Sequence, residues 1–297
     1  MKTVSTVQEL RDELASARRS GESIGLVPTM GALHAGHLSL IEAARRQCEV
    51  VVVSLFVNPA QFNDAGDLSK YPRDEARDAA LAAGAGADLM FAPGVEEVYP
   101  AGFATTVSVS ALTERLEGAS RGRGHFDGVT TVVSKLFNMV MPDVAFFGQK
   151  DAQQALVIRR MVRDLNIPVR IEVCPIVRDS DGLALSSRNA LLTASEREQA
   201  TALSRALAVV AEATQAGERD AERLLAPART ELERSGVTTE YLELVSPDTL
   251  EPVARVDAEV LALVAARVGT TRLIDNLLIH PVAAAASAVA DHDERPL

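Results

Sequence analysis

Two histidines, His34 and His37, lie one helical turn apart at the point where a predicted strand gives way to a predicted helix. The apolar run 24–27 is typical of a buried strand, a turn with a proline and a glycine follows, and apolar residues recur at helical spacing from Leu38. Free backbone N–H groups and the helix dipole attract anions at such a helix N-terminus. The pattern therefore predicts a phosphate site in which the imidazoles donate hydrogen bonds, or a proton, to a leaving group. The dipole lowers the pKa of an imidazole at this position, and a bound polyphosphate raises it.

Two other interpretations of these histidines stay open at this point. They could only cap the turn and fill space, a role that suits any short H-x-G-H segment. They could also chelate zinc, but the only cysteines are Cys48 and Cys174 and no nearby pair of carboxylates completes a tetrahedral set. Zinc is therefore the least favoured of the three.

Polar residues also follow two further predicted strands. The segment N-P-A-Q-F at 58–62 follows the apolar run 50–57, and G-Q-K-D at 148–151 follows the run 144–147. Each segment alone is an ordinary turn. Because an open α/β sheet binds its ligands at the carboxyl ends of its strands, we expect these two segments and the histidines to share one pocket.

The segment after the run 144–147 carries two charges at a predicted helix start. Lys150 is suited to act as a point charge on a phosphate, although a solvated surface lysine is the alternative. Asp151 is expected either to cap the next helix or to accept a hydrogen bond from a ribose. Gln154, one turn later, should face the same side as Asp151.

Two further segments could bind anions. The segment S-S-R-N at 186–189 places two hydroxyls beside a guanidinium, and either an anion clamp or a solvated helix cap fits it. The glycine-rich segment 118–128 is expected to be flexible, and it contains Arg121, Arg123 and His125. Its charges could close over a substrate carboxylate or remain solvated.

The order of the predicted elements defines the fold class. Residues 1–175 alternate strand-like and helix-like segments, which is typical of a parallel sheet covered by helices, and α+β order follows. We predict an α/β fold with a Rossmann-like parallel sheet, helices on both faces, and a smaller α+β C-terminal domain. The domains are expected at 1–176 and 177–283, with a flexible tail at 284–297. The predicted strands are 24–27, 50–57, 88–92, 144–147, 169–174, 241–245, 260–265 and 273–279; the predicted helices are 38–47, 74–83, 128–140, 152–165, 194–216 and 220–235.

The composition excludes several classes of protein. A net charge of −11 argues against a duplex or tRNA binder, so we expect no nucleic-acid partner and expect the functional cations to be gathered inside a pocket. The charged N-terminal segment has no apolar core, and no uncharged apolar run reaches the roughly 18 residues that span a bilayer. These features predict a cytoplasmic protein with no membrane partner. Its two cysteines are expected to be reduced and buried.

Taken together, the motifs resemble those of the pantothenate synthetase (pantoate–β-alanine ligase) family. They are P-T-M-G-A-L-H-A-G-H at 28–37, S-L-F-V-N-P-A-Q-F at 54–62, Y-P-R at 71–73, F-F-G-Q-K-D at 146–151 and L-A-L-S-S-R-N at 183–189. The resemblance implies membership of the H-x-G-H nucleotidyltransferase and class I aminoacyl-tRNA synthetase-like superfamily. It also implies ATP-dependent, Mg²⁺-assisted condensation of pantoate with β-alanine through a pantoyl adenylate, in coenzyme A biosynthesis, by a homodimer.

The resemblance also implies residue roles. The ATP-binding residues would be Met30, Gly31, His34, His37, Gly148, Gln149, Lys150, Asp151, Val177, Leu185, Ser186, Ser187 and Arg188, and the catalytic ones His34, His37, Lys150, Ser186 and Arg188. Gln61 would contact pantoate and β-alanine, and Gln154 and Arg121 would contact pantoate. Arg123 competes with Arg121, because this segment is one residue longer than is usual in the family. Gln149 departs from the more common G-E-K-D.

Two rival functions remain at this stage. A nucleotidyltransferase of the same superfamily would adenylylate a small phosphorylated metabolite and keep the nucleotide on its product. A nucleotide-sensing protein would bind ATP without turnover. A tRNA synthetase fragment is disfavoured by the acidic charge and by the lack of length for an anticodon-binding domain.

Overall fold

The computed structural model describes residues 1–63 and 65–281. The apolar, β-branched runs of the first part of the chain form a parallel sheet. Its strands are β1 (Lys2–Val4), β2 (Ile24–Thr29), β3 (Val50–Leu55), β4 (Leu89–Phe91), β5 (Val144–Gly148) and β6 (Arg170–Cys174). Within the described residues these six strands are ordered β1-β4-β3-β2-β5-β6 and all pairs are parallel. The strand order reverses between β2 and β5, and such a switch point is where open α/β sheets bind ligands.

Helices cover this sheet, and others accompany a second sheet. They are α1 (Val7–Ser20), α2 (Ala35–Gln47), α3 (Ala65–Lys70), α4 (Glu75–Gly84), α5 (Val95–Val98), α6 (Glu117–Arg121), α7 (Arg123–Val140), α8 (Ala152–Asp164), α9 (Ala194–Ala200), α10 (Ala202–Gln215) and α11 (Ala221–Arg234). Short 3-10 helices lie at Pro59–Gln61, Gln149–Asp151 and Ser187–Leu191.

Each face of the parallel sheet has its own apolar core. Leu26 and Val52 point to the face that α1, α7 and α8 cover. Val27 and Val51, their neighbours in sequence, point to the opposite face, which α2 and α4 cover. Successive side chains of a strand point to opposite faces, so a strand buried on both faces is apolar throughout. The predicted Rossmann-like sheet with helices on both faces is confirmed.

The C-terminal part forms a separate antiparallel sheet. Its strands are β7 (Thr238–Val245), β8 (Val260–Val268) and β9 (Thr271–Ile279), in the order β7-β8-β9 over the described residues. The helices α10 and α11 pack on one face through buried Leu203, Leu207 and Leu224. On its other face Leu261 and Leu263 join the core of the parallel sheet. The second sheet therefore shares an apolar core with the N-terminal part of the molecule.

Several elements differ from the prediction, among them the short helices α3 and α5, which were not predicted. β1 and α1 were not predicted, although Thr6 and Glu9 form a capping box and Gly21 closes the helix in the left-handed conformation. The predicted helix 194–216 is divided at Thr201, between α9 and α10. The segment 118–128, which was expected to be flexible and not assigned to a helix before residue 128, belongs to α6 and α7, which Gly122 (φ 79°) separates.

The division into domains at residue 176 stays a prediction, and the proposed tail, 284–297, lies outside the described residues. Among the helices that the structure describes, none is long and apolar enough to cross a membrane.

Candidate active site

A cavity of about 640 Å³ opens at the switch point of the parallel sheet. It extends to the second sheet, so both lobes of the molecule contribute to its wall. The predicted site residues that line it are Met30, His34, His37, Gln61, Arg121, Gly148, Lys150, Asp151, Gln154, Val177, Leu185, Ser186, Ser187 and Arg188. Gly31, Gln149 and Arg123 are not part of the lining. The three strand-end segments thus meet in one pocket, as predicted from the sequence.

The two histidines form a linked pair at the N-terminus of α2. His34 is the N-cap residue: its Nδ1 accepts a hydrogen bond from the Gly36 N–H at 3.2 Å, and its own N–H donates to Nδ1 of His37 at 3.4 Å. The ring centroids are 4.1 Å apart. Because both Nδ1 atoms accept hydrogen bonds, a neutral ring carries its proton on Nε2. The pair can therefore present Nε2–H donors to a ligand.

The histidines are neutral at pH 7 in the ligand-free protein. Burial, followed by the charge of His34, lowers the pKa of His37 to about 3. Burial, followed by the nearby Lys150 ammonium, also lowers the pKa of His34. Desolvation and like charges both disfavour an imidazolium. A bound polyanion would act in the opposite direction on both rings.

The end of β5 is fixed by the second sheet. Asn276 of β9, which is 1% exposed, donates from Nδ2 to the carbonyls of Gln149 (2.9 Å) and Lys150 (3.1 Å). Gln149 returns a hydrogen bond from Nε2 to the Asn276 side chain at 3.2 Å. Lys150 is half-buried against the cavity. Asp151 occupies the N-cap position of α8 but makes no capping hydrogen bond, so the predicted capping role is wrong.

The segment 186–189 forms the opposite wall. Ser186 caps the short 3-10 helix by accepting from the Arg188 N–H at 3.3 Å. Burial, then the charge of Arg121, lowers the pKa of the Arg188 guanidinium. Both arginines and Lys150 line the same cavity of an acidic protein. The cations are therefore concentrated at the site, which suits a polyanionic ligand.

The orientation of the Gln61 amide is set by its neighbours. Asn58, 1% exposed, accepts from the Tyr99 hydroxyl at 2.8 Å and donates to the Gly128 carbonyl (3.0 Å) and to Oε1 of Gln61 (3.1 Å). Nε2 of Gln61 then lies 3.1 Å from the sulfur of Met30. A side chain at Gly128 would collide with the 3-10 helix that carries Gln61, so this glycine permits the close approach of α7. Gln61 thus presents an N–H donor next to Met30.

Arg121 is held by a buried carboxylate. Glu117, 7% exposed, accepts from Nε of Arg121 (2.9 Å), from both terminal nitrogens of Arg272 (2.7 and 2.6 Å) and from the Tyr241 hydroxyl (2.9 Å). Arg272 and Tyr241 belong to the second sheet. Arg123, two residues from Arg121, is exposed. Of the two competing arginines, Arg121 is therefore the one that faces the cavity.

Known proteins match this architecture over nearly the full chain. The sequence model of the family described as Pantoate-beta-alanine ligase matches residues 2–278. The chain belongs to the pantoate–β-alanine ligase family. Its reaction is the ligation of pantoate and β-alanine with ATP. The chain is 55% identical to the pantothenate synthetase of Moorella thermoacetica over 280 residues, which covers 94% of this chain and 99% of the relative.

Solved structures of pantoate–β-alanine ligases agree. The pantothenate synthetase of Thermus thermophilus superposes with a TM-score of 0.89 at 50% identity, covering 95% of this chain and 100% of that one. The pantoate-beta-alanine ligase of Francisella tularensis superposes with a TM-score of 0.78 at 33% identity, covering 94% and 97% of the two chains. The Francisella enzyme was solved in complex with beta-gamma ATP and β-alanine.

The residues that position the other site residues through hydrogen bonds were not predicted from the sequence. Glu117, Tyr241 and Asn276 line the cavity, and Asp78 contacts the turn before α2 from beneath. For Asp78 a signal was available, because it lies one turn before the buried Ala82 on the apolar side of a predicted helix. The contacts of Glu117 with Arg272 span 155 positions, and no local pattern predicts them.

Proposed function

We propose that ligation proceeds in two steps through a pantoyl adenylate. A carboxylate oxygen of pantoate attacks the α-phosphorus of ATP, the bond to the β-phosphate oxygen breaks, and pyrophosphate leaves. The amine of β-alanine then attacks the acyl carbon, the bond to the AMP oxygen breaks, AMP leaves, and the amine proton passes to solvent. Neither step needs a protein nucleophile. The protein contributes positioning and charge stabilisation.

On the ATP side, the charged and hydroxyl groups of the cavity would act on the phosphates. Lys150 and Arg188 would neutralise charge on the leaving pyrophosphate, and Ser186 would donate a hydrogen bond to it. The other residues assigned to ATP that line the cavity are Met30, His34, Gly148, Asp151, Val177, Leu185 and Ser187; Gly31 and Gln149, which the resemblance also assigns to ATP, do not line it. The support is the convergence of these segments at the switch point.

His37 would act first as a hydrogen-bond donor. With a pKa of about 3 its ring is neutral in the free protein, and the accepting Nδ1 leaves Nε2–H to donate. Once ATP is bound, the phosphates would raise the pKa of His37, because an anion stabilises the imidazolium. It could then serve as the proton donor to pyrophosphate.

The second half of the cavity would hold the other substrates. Arg121, held on one side by Glu117, would pair with the pantoate carboxylate, and Gln154 would bind pantoate beside it. Gln61 would donate from Nε2 to pantoate and to β-alanine. The complex of the Francisella tularensis relative with beta-gamma ATP and β-alanine supports the same substrates here.

Mg²⁺ is the metal that we propose for this site. The described residues contain no group of three or more His, Cys, Asp or Glu side chains that could hold a metal alone. Mg²⁺ does not need such a group, because it typically uses one or two protein carboxylates together with substrate phosphates. Asp151, whose side chain lines the cavity and does not cap α8, is the carboxylate best suited to it. When bound, Mg²⁺ would neutralise phosphate charge.

We also propose that residues 177–283 form a smaller domain that closes over the site and that the protein is a homodimer. The second sheet contributes Tyr241, Ile274, Asp275 and Asn276 to the cavity wall, which supports a lid role. Solution mass by light scattering tests the dimer, and a monomeric mass contradicts it.

The observation that carries the proposal is the single cavity in which His37, Lys150, Arg188 and Arg121 meet. Exchange of labelled pyrophosphate into ATP, measured with pantoate and without β-alanine, tests it. We expect exchange only when pantoate is present. Exchange without pantoate, or none with it, contradicts the adenylate, and a product that retains the nucleotide would indicate a nucleotidyltransferase.

A further inference from the structure

Five backbone N–H donors between β2 and the first turn of α2 already have acceptors within the protein. Gly31 donates to the Thr29 hydroxyl at 3.3 Å, Ala32 and Leu33 donate to the carboxylate of Asp78, His34 donates to Nδ1 of His37 at 3.4 Å, and Gly36 donates to Nδ1 of His34 at 3.2 Å. A buried backbone N–H requires an acceptor, and here each of these five has one within the protein. These five N–H groups are therefore not among the free donors that were expected to attract the phosphates.

The acceptor at the centre of the turn is an internal anion. Gly31 and Ala32 have left-handed backbones, with φ of 88° and 53°. In this turn the consecutive N–H groups of Ala32 and Leu33 point at Asp78, and such a concavity binds anions. Oδ2 of Asp78 lies 2.8 Å from the Ala32 nitrogen and Oδ1 lies 2.8 Å from the Leu33 nitrogen. The carboxylate of α4 thus occupies the place of a bound anion.

Asp78 is built into the core rather than exposed to a ligand. It is 1% exposed, and the guanidinium of Arg77 lies 3.7 Å from Oδ1 while itself remaining 56% exposed. A buried carboxylate is costly unless it accepts hydrogen bonds, so the two backbone contacts stabilise both partners. Removing it would leave two buried donors side by side without acceptors.

We propose that Asp78 is the positioning residue of the nucleotide site: it fixes the turn that carries Met30 and His34, and the two N–H groups that it occupies are not used to bind the phosphates. The proposal rests on the proposed role of His34 and His37 at ATP. A carboxylate is required because two adjacent N–H donors need two acceptor oxygens. An asparagine offers one acceptor and turns its own NH₂ toward the second donor.

The variant Asp78→Asn tests this, with Ala82→Gly as the matched control. Ala82 is fully buried on the same helix, one turn on, and its change to glycine weakens α4 by about 1 kcal/mol while keeping the carboxylate. We expect Asp78→Asn to raise KM for ATP at least tenfold in the pantoate-dependent exchange assay and to change KM for pantoate less than threefold. Ala82→Gly should leave both KM values within twofold of wild type.

A second readout needs no substrate. In an NMR pH titration of the ligand-free protein, Asp78→Asn should move the titration of His37 toward the ordinary range of an imidazole, because the turn no longer holds the ring pair. Ala82→Gly should titrate as wild type. If Asp78→Asn has the KM for ATP and the His37 titration of the wild type, the proposal is wrong. It is also wrong if Ala82→Gly, compared at equal free energy of unfolding, shows the same changes in KM and titration as Asp78→Asn.

A variant in the turn itself tests the same contact between the turn and Asp78. A Cβ on Gly31 would lie 3.0 Å from Oδ2 of Asp78 and 2.9 Å from Leu55 Cδ1, so Gly31→Ala should reproduce the ATP KM and His37 defects. If Asp78→Asn does not fold and Gly31→Ala is normal in both, the proposal is wrong. A wild-type protein without pantoate-dependent exchange would refute the proposed function instead, while the histidine titration would still test Asp78.

Discussion

Replacing Glu117 by Gln should destabilise the protein by about 3 kcal/mol at pH 7 and weaken pantoate binding. Burial alone raises the pKa of the Glu117 carboxyl, but hydrogen bonds and charge from Arg272 and Arg121 lower it from the ordinary 4.5 to about 2. At about 1.4 kcal/mol for each tenfold change in proton affinity, this difference corresponds to about 3 kcal/mol of stability. The estimate agrees with the roughly 3–5 kcal/mol that breaking a buried ion pair costs.

The pH dependence of stability follows from the direction in which folding shifts the pKa of Glu117. The pKa of Glu117 is lower in the folded protein, so its contribution is fully present above pH 4.5 and is lost as the pH falls toward 2. Urea unfolding of wild type and Glu117→Gln should therefore differ by about 3 kcal/mol at pH 7 and by roughly 2 kcal/mol at about pH 3.5.

Glu240→Gln is the matched control for this experiment. Glu240 accepts from Nε of the same Arg272 at 2.7 Å, but it is 23% exposed, so its loss should cost about 1 kcal/mol or less. It does not contact Arg121, and KM for pantoate should stay unchanged. Equal losses of unfolding free energy in the two variants would contradict a special role of the buried Glu117 carboxylate. So would a stability difference between wild type and Glu117→Gln that does not shrink as the pH falls.

Further predictions concern the site itself. His37→Ala and Lys150→Ala should fold as wild type and lose about 10² to 10³ in kcat by steady-state kinetics, as is typical for one group that stabilises developing charge, and near-full turnover of either would remove its assigned role. Tyr99→Phe deletes the hydroxyl that donates to Asn58 and so loosens the amide of Gln61; with one neutral hydrogen bond contributing about 1 kcal/mol, kcat/KM for β-alanine should fall about fivefold while KM for ATP stays constant. By NMR, His37 should remain neutral down to about pH 4 in the free protein and titrate at higher pH with an ATP analogue bound, and identical titrations in the two states would contradict a phosphate contact.

The parallel sheet and the convergence of its polar segments could be predicted from the sequence. Strands buried on both faces are nearly continuous apolar runs, and 50–55, interrupted only by Ser54, is such a run. The carboxyl ends of parallel strands share one edge, which brings His34 and Lys150 together without any knowledge of loop geometry. By contrast, α1 was missed even though Thr6 and Glu9 carry its start signal.

The residues that orient the site side chains through long-range hydrogen bonds could not be predicted in the same way. Glu117 of α6 meets Arg272 of β9 only because the second sheet packs against the N-terminal part of the molecule, a contact that local periodicity does not encode. The choice between Arg121 and Arg123 depends on the break at Gly122, whose φ of 79° turns α7 away from α6. In physical terms, patterns of burial determine where a ligand binds, while long-range hydrogen bonds determine which side chain points at it.

The most direct test of the central claim is a crystal structure with ATP or its β,γ-methylene analogue and pantoate bound. We expect one nucleotide in the cavity, with Nε2 of His37 and Nζ of Lys150 both within hydrogen-bond distance of its phosphates, and the pantoate carboxylate facing the α-phosphorus. A nucleotide bound elsewhere, or phosphates beyond the reach of either His37 or Lys150, would contradict a single cleft that binds ATP and pantoate together.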